Sequence, residues 1–335
     1  MRITKNFLHK AALDTVKLRT RSEPDLHAAY LTGSLLSDDP LLGGTTDIDL
    51  VLVHKFLAPV ARETLALTPE VSLDILHKTT SDFEPARQLR QNALIGYPLT
   101  FYHIILYDSD HWLEFIQSTV SAEFHRADHV LARVNPLLHS AREIWRTLNE
   151  QPPEKYLDWL DLYLDALSLS TNALAGLIGP PLTTRRFMIT LDQRLQDLGT
   201  PDIYAALCGL LGCSEEIEIK HKAWIDAFEG DLAYLSNTTD APPHLGACRQ
   251  AYYVSSIKSL AHGKTPAYMV WPLLRTWLDI HLSLSQTSPG FDVWHDFLKT
   301  LNFSESVCQA KNRALDSFLD RIEILIESWT NTYGF

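Results

Sequence analysis

Residues able to do chemistry gather early in this chain. The stretch "LTGSLLSDDPLLGGTTDIDL", residues 31–50, ends in Asp47 and Asp49, and a later apolar run, "EVSLDILH", holds Asp74. Side chains alternate along an extended strand, so Asp47 and Asp49 share a face. Two carboxylates that close repel each other unless a cation lies between them. If the second run pairs beside the first, Asp74 joins them on the same side of the sheet. Three carboxylates on adjacent strands suit Mg²⁺, which takes carboxylates, waters and substrate phosphates. Upstream, Gly33-Ser34 ends the apolar run "HAAYLT". A backbone with no Cβ at Gly33 can approach a phosphate, and the Ser34 hydroxyl and nearby N–H groups can donate to its oxygens.

These residues need elements to carry them. "KNFLHKAALDTVKLRT" has a helical apolar stripe, while "HAAYLTGS", "DIDLVLVH" and "EVSLDILH" read as strands. "ARETLAL" is expected to be a short helix after Pro59, and "EPARQLRQNALIG" a helix ending at Gly96. "LTFYHIILY" reads as a further strand, stopping at "DSD", which can cap the helix "HWLEFIQSTVSAEFHR". Past about residue 128 the strand signal fades. Apolar residues there recur every three or four positions between Gly, Pro and Asn breaks, predicting seven to nine helices. The expected fold is thus an α/β (α+β) N-terminal domain with a small mixed sheet, residues 1–127. An all-α helical bundle, residues 128–335, follows it.

The order "YLTGS", "TTDIDLVLV", "VSLDIL" resembles the nucleotidyltransferase superfamily that includes polymerase β. The likeness covers roughly residues 26–110 and is nearest to its minimal members, such as the aminoglycoside nucleotidyltransferases, which also carry a helical C-terminal domain. Twelve residues separate Ser34 from Asp47, a spacing usual in that family. The resemblance implies that Asp47 and Asp49 bind metal, and that Asp74 binds metal or takes the acceptor's proton. It implies that Gly33 and Ser34 contact the nucleotide's phosphates. It also implies an NTP substrate, ATP by default, and two Mg²⁺ ions in the active complex. The connecting loop departs from the pattern: where the family often has a basic residue, this chain has Asp38 and Asp39.

Basic help must then come from elsewhere. Arg185-Arg186 follows "GPPLTT" at an expected helix start, where backbone N–H groups favour anions, and Lys264 stands in the loop "AHGKTPAY". Either set could meet phosphates or be solvated charge. Asp161 and Asp165, four apart on a helix, could form an acidic wall for a cationic acceptor, serve as a base, or simply be exposed. Glu70, His54 and His77 are expected at solvated strand ends.

The chain has 29 Lys and Arg against 41 Asp and Glu, a net charge of −12, and no basic tract. That balance argues against a nucleic-acid partner, which wants a basic face. It favours small-molecule or cationic partners, and the resemblance to aminoglycoside nucleotidyltransferases implies a hydroxylated, aminoglycoside-like acceptor. No apolar run reaches the eighteen or so residues of a membrane span, and the opening "MRITKNFLHKAALDTVKLRT" lacks a signal-peptide pattern, so a cytoplasmic protein is expected. Cys208, Cys213, Cys248 and Cys308 form no C-x-x-C pair and read as reduced thiols. The expected activity is transfer of AMP to a small-molecule hydroxyl, with a homodimer compatible. Its rivals are AMP transfer to a protein side chain and a nucleotide-binding module without turnover.

Overall fold

The computed structural model describes residues 3–101, 103–238, 241–284 and 287–333, with the side chain of residue 101 left aside. The chain divides into two compact units, Met1–His129 and Val130–Phe335.

The first unit is built on a mixed five-stranded sheet. Its elements run α1 (Lys5–Ser22), β1 (Leu26–Thr32), β2 (Thr46–His54), β3 (Arg62–Thr68), β4 (Val71–Thr79), α2 (Ala93–Phe101), β5 (Ile104–Asp108) and α3 (Trp112–Ser121). The strand order is β3-β4-β2-β1-β5. β2 and β4 are parallel, and the other three pairings are antiparallel. Strict alternation sorts the central strands. Ile48, Leu50, Leu52, Leu73 and Ile75 face one way, under Leu8, Ala12 and Val16 of α1. Tyr30, Val51 and Val53 face the other, against Phe83, Leu99, Leu113 and Ile116. A side-chain cap starts α1, whose Phe7 backbone N–H donates to Thr4 Oγ1 at 3.2 Å.

Three local expectations need correction. "ARETLAL" is not a helix: Arg62–Thr68 is an edge strand, joined to β4 through a turn at Pro69 and Glu70. So short a helix would be marginal alone, whereas the strand satisfies its backbone groups on the open edge of β4. Gly96 does not end a helix but lies inside α2. A Cβ there would sit 1.9 Å from the Leu89 carbonyl oxygen, so close packing requires the glycine. The strand expected over "LTFYHIILY" is shorter, because Leu99, Thr100 and Phe101 belong to α2. Tyr102, within that segment, lies outside the described residues. The cap read from "DSD" comes from Asp108, whose carboxylate accepts from the backbone of Leu113 at 2.9 Å and Glu114 at 3.0 Å.

The second unit is helical. Among the described residues it comprises α4 (Ala127–Glu150) from Val130 onward, α5 (Tyr156–Ala175), α6 (Phe187–Asp197), α7 (Pro201–Leu211), α8 (Glu216–Ser236), α9 (Gln250–Ala261), α10 (Val270–Ser283), α11 (Phe291–Thr300) and α12 (Cys308–Thr332). Trp224, Phe228, Trp277, Trp294 and Phe297 pack its interior. Fully buried Asp231 accepts from Trp277 Nε1 at 2.8 Å, Ser288 Oγ at 2.9 Å and the Gly290 N–H at 2.6 Å. These bonds tie α8 to α10 and to the turn before α11. Among the described residues, no helix is long and apolar enough to cross a membrane.

Candidate active site

The parallel pairing of β2 and β4 sets the site. Its register puts Asp49 directly opposite Asp74 and Asp47 opposite Ser72, so all four side chains share one face. One carboxylate oxygen from each of Asp47, Asp49 and Asp74 lies within 4.8 Å of the others. Asp47 and Asp74 are buried, at 6% and 5% exposure, and Asp49 is half-buried. Ser72 is buried too, and its Oγ has no hydrogen-bond partner.

The Gly-Ser turn is laid against this group. Thr32, the last residue of β1, pairs with Asp49, and the chain then turns into a short 3₁₀ stretch, Gly33–Leu36. Gly33 has φ +77°, and a Cβ on it would fall 1.8 Å from Asp49 Oδ2. Only glycine permits both that backbone conformation and that approach. Ser34 Oγ lies 3.4 Å from Thr46 Oγ1, at the start of β2. The Gly43-Gly44 pair, at φ +62° and +77°, makes the tight turn between Leu42 and Thr45 that feeds β2. Asp38 and Asp39 are both exposed.

Arg62 is the residue that sequence reasoning missed. From β3 it grips Asp74 with both arms: Nε to Oδ1 at 2.6 Å and Nη2 to Oδ2 at 2.5 Å. The guanidinium side chain remains 58% exposed while Asp74 is 5% exposed. The signal was present: "ARETLALTPEVSLDILH" folded as a hairpin about Pro69-Glu70 brings Arg62 diagonally onto Asp74.

The remaining candidates have other surroundings. Arg185 is buried in the second unit. Its guanidinium carbon lies 3.4 Å from the Tyr252 ring centroid, and Nη1 donates to the Tyr252 carbonyl at 3.1 Å. Lys264 is exposed in the bend after α9. Asp161 and Asp165 face Arg275, whose Nη1 lies 2.8 and 3.1 Å from their carboxylates, with Asp279 3.6 Å from Nε. Burial raises Asp279 to about 6 against the pull of Arg275. Glu70 is exposed in the hairpin turn, accepting from Thr68 Oγ1 at 3.0 Å. His54 and His77 are not surface residues, as their strand-end positions suggest: they are 2% and 4% exposed, because Arg19, Glu23 and Glu63 close over them.

Oxygen donors from three carboxylates, an orphaned hydroxyl and a glycine cradle fit a hard divalent cation with a phosphate beside it. No protein-family model matches this chain and no curated protein matches its sequence.

Proposed function

We propose that this protein is a Mg²⁺-dependent nucleotidyltransferase. It moves a nucleoside monophosphate, AMP from ATP by default, onto a hydroxyl of a small acceptor. The observation that carries the reading is the convergence on Asp49: its partners Asp47 and Asp74 lie within 4.8 Å, and the Gly33 backbone leaves no room for a Cβ beside it.

Asp47, Asp49 and Asp74 would hold Mg²⁺, which supplies charge to the triphosphate and lowers the pKa of the acceptor hydroxyl. Gly33 lets the turn come close to a phosphate. The first N–H groups of a helical turn lack partners within it, so those of Gly33–Leu36 and the Ser34 hydroxyl serve as donors to phosphate oxygens. Asp74 would take the acceptor's proton once Arg62 lets go of one oxygen. The acceptor oxygen bonds to the α-phosphorus, the bond to the bridging oxygen breaks, and pyrophosphate leaves. The protein's share is positioning and charge compensation. A cationic, aminoglycoside-like acceptor suits the net charge of −12.

One observation favours a second reading. Arg62 already neutralises Asp74, as a permanent counter-charge would in a nucleotide-binding module without turnover. The test offers Mg²⁺, each labelled NTP and a panel of hydroxylated acceptors, and follows pyrophosphate release beside an Asp49→Asn control. Release by the native protein alone supports the transferase. Nucleotide binding without release under any condition supports the module, and equal release from both proteins defeats the assignment of the site.

A further inference from the structure

The opposite face of the same sheet carries a second constellation, beneath the C-terminal end of α1. His54 closes β2 and His77 lies near the end of β4, in an otherwise apolar layer. Their rings are 20° from parallel, with His54 Nε2 2.9 Å from His77 Nδ1. At the far side of its ring, His77 Nε2 meets Glu63 Oε1 at 2.9 Å. An ionised carboxylate only accepts, so His77 donates to Glu63 from Nε2, and in the neutral ring Nδ1 keeps its lone pair on the side of His54. Arg19 donates to Glu23 at 2.7 Å and to Glu63 at 2.6 Å, each time through Oε1. Glu23, which ends α1, is left with Oε2 buried and unpartnered. One ligand atom from each of Glu23, His54 and His77 lies within 4.8 Å of the others.

We propose that Glu23, His54 and His77 form a second cation site, for a zinc-class divalent ion, pinning the end of α1 to β2 and β4. Two imidazoles and one carboxylate are a donor set that zinc accepts, with a water completing the tetrahedron. Mg²⁺ prefers oxygen, so the two faces of the sheet select different ions. The Glu63 contact is the carboxylate–histidine arrangement that fixes the tautomer of a metal-binding ring. His54 is 2% exposed and turns Nε2 toward Nδ1 of His77. Its Nε2 proton moves to Nδ1 of the same ring as Nε2 coordinates, so this ring releases no proton. Ligand atoms about 2.1 Å from a tetrahedral ion sit about 3.4 Å apart, so the 2.9 Å histidine pair need open only slightly. Glu23 and Glu63 outnumber Arg19 by one charge around the pair, and the buried Oε2 gains the partner it lacks.

The site is distinct from the aspartates. His77 lies three residues beyond Asp74 on β4 and points to the other face, so the two are tested separately. The full-length protein is stripped with chelator, and Zn²⁺ or Co²⁺ is then titrated in excess Mg²⁺. Bound metal is counted by elemental analysis, and Co²⁺ is followed by its visible spectrum. The expected result is one ion per chain with a tetrahedral cobalt spectrum, kept in Asp49→Asn. Glu23→Gln and His54→Asn should each lose affinity at least about tenfold. Glu23 lies at the rim of the site, so Glu23→Gln decides the matter if His54→Asn fails to fold. Failure to bind a stoichiometric ion overturns the site and leaves a hydrogen-bonded His-His-Glu relay. So does affinity unchanged in Glu23→Gln, or lost in Asp49→Asn.

Discussion

Three carboxylates gather beside Arg62 in the sheet and around Arg275 in the helical unit, and these two clusters differ in which partner is held inside. In the sheet, Asp74 is 5% exposed and its arginine, Arg62, is 58% exposed, hanging on the rim from an edge strand. In the helical unit the relation is reversed: Arg275 is 23% exposed, and Asp161, Asp165 and Asp279 surround it at 32%, 42% and 28%. Arg275 Nη1 comes within 2.8 Å of Asp161 Oδ1 yet lacks hydrogen-bond alignment with it, as one cation shared among three acids would. A rim arginine can give way to another cation, while a central one is the cement of a helix pair. The sheet cluster also has a backbone turn pressed on it at Gly33, and Gly33 and Asp49 have no counterpart on α5 and α10. A count of acids alone does not set the clusters apart; the sheet cluster has buried acids beside an exposed arginine, with a glycine turn against them.

The largest expected effect breaks the sheet cluster alone. Asp49→Asn removes a carboxylate from the proposed metal site, and nucleotidyl transfer should fall at least about 10³-fold, the upper scale of losing one preorganised electrostatic group. Asp279→Asn, in the helical cluster, should leave pyrophosphate release unchanged. Equal losses in the two variants would erase the distinction between the clusters.

Gly33→Ala comes next. Its Cβ must find space 1.8 Å from Asp49 Oδ2, on a backbone at φ +77°. The conformational cost is about 1–2 kcal/mol, and Asp49 must also move. Transfer should drop about 10²-fold, in line with a reacting group displaced by roughly 1 Å. The midpoint of urea unfolding should fall as well. A Gly33→Ala protein with native kinetics would mean that the turn does not touch the nucleotide.

The strands that carry the aspartates were legible because their period of two is a local property. "DIDLVLVH" and "EVSLDILH" fix which residues share a face, and the Gly-Ser turn marks its own end. What was illegible depended on distant partners. Arg62 lay in a segment whose local pattern suits a short helix, and only the free edge of β4 makes it a strand. His54 and His77 are buried by Arg19 and Glu23 at the end of α1 and by Glu63 of β3, so strand-end position alone misleads. Arg185 sits in a basic pair at a helix start, as phosphate ligands do. Its stacking on Tyr252 depends on a helix 67 residues away.

Arg62→Gln sharpens the comparison from the rim side. If the guanidinium competes with Mg²⁺ for Asp74, removing it should lower the Mg²⁺ concentration needed for half-maximal transfer. The expected shift is a few-fold, since exposed ion pairs contribute at most about 1 kcal/mol. The same change at the hub, Arg275→Gln, should instead lower the unfolding midpoint, by leaving three acids facing one another. An unchanged Mg²⁺ dependence in Arg62→Gln would show that the rim arginine stays in place when the metal binds.

The smallest expected effect reads the helical cluster through pH. Asp279 is raised from 3.8 to about 6 by burial, with Arg275 pulling against the shift and Asp161 and Asp165 adding to it, and Asp165 is raised in the same direction. Between these two values the folded protein holds a proton that the unfolded chain has released. Stability from this group is therefore present at the acid end of the window and lost as pH rises through about 6. Going from about pH 5 to about pH 7, urea unfolding should report a decline of about 1 kcal/mol attributable to Asp279, part-exposure having reduced the full linkage value. Asp279→Asn cannot ionise, so its profile should be flatter by that amount. An identical slope in the native protein and the variant would mean that Arg275 neutralises all three acids at once, and the contrast between a hub and a rim arginine would lose its energetic basis.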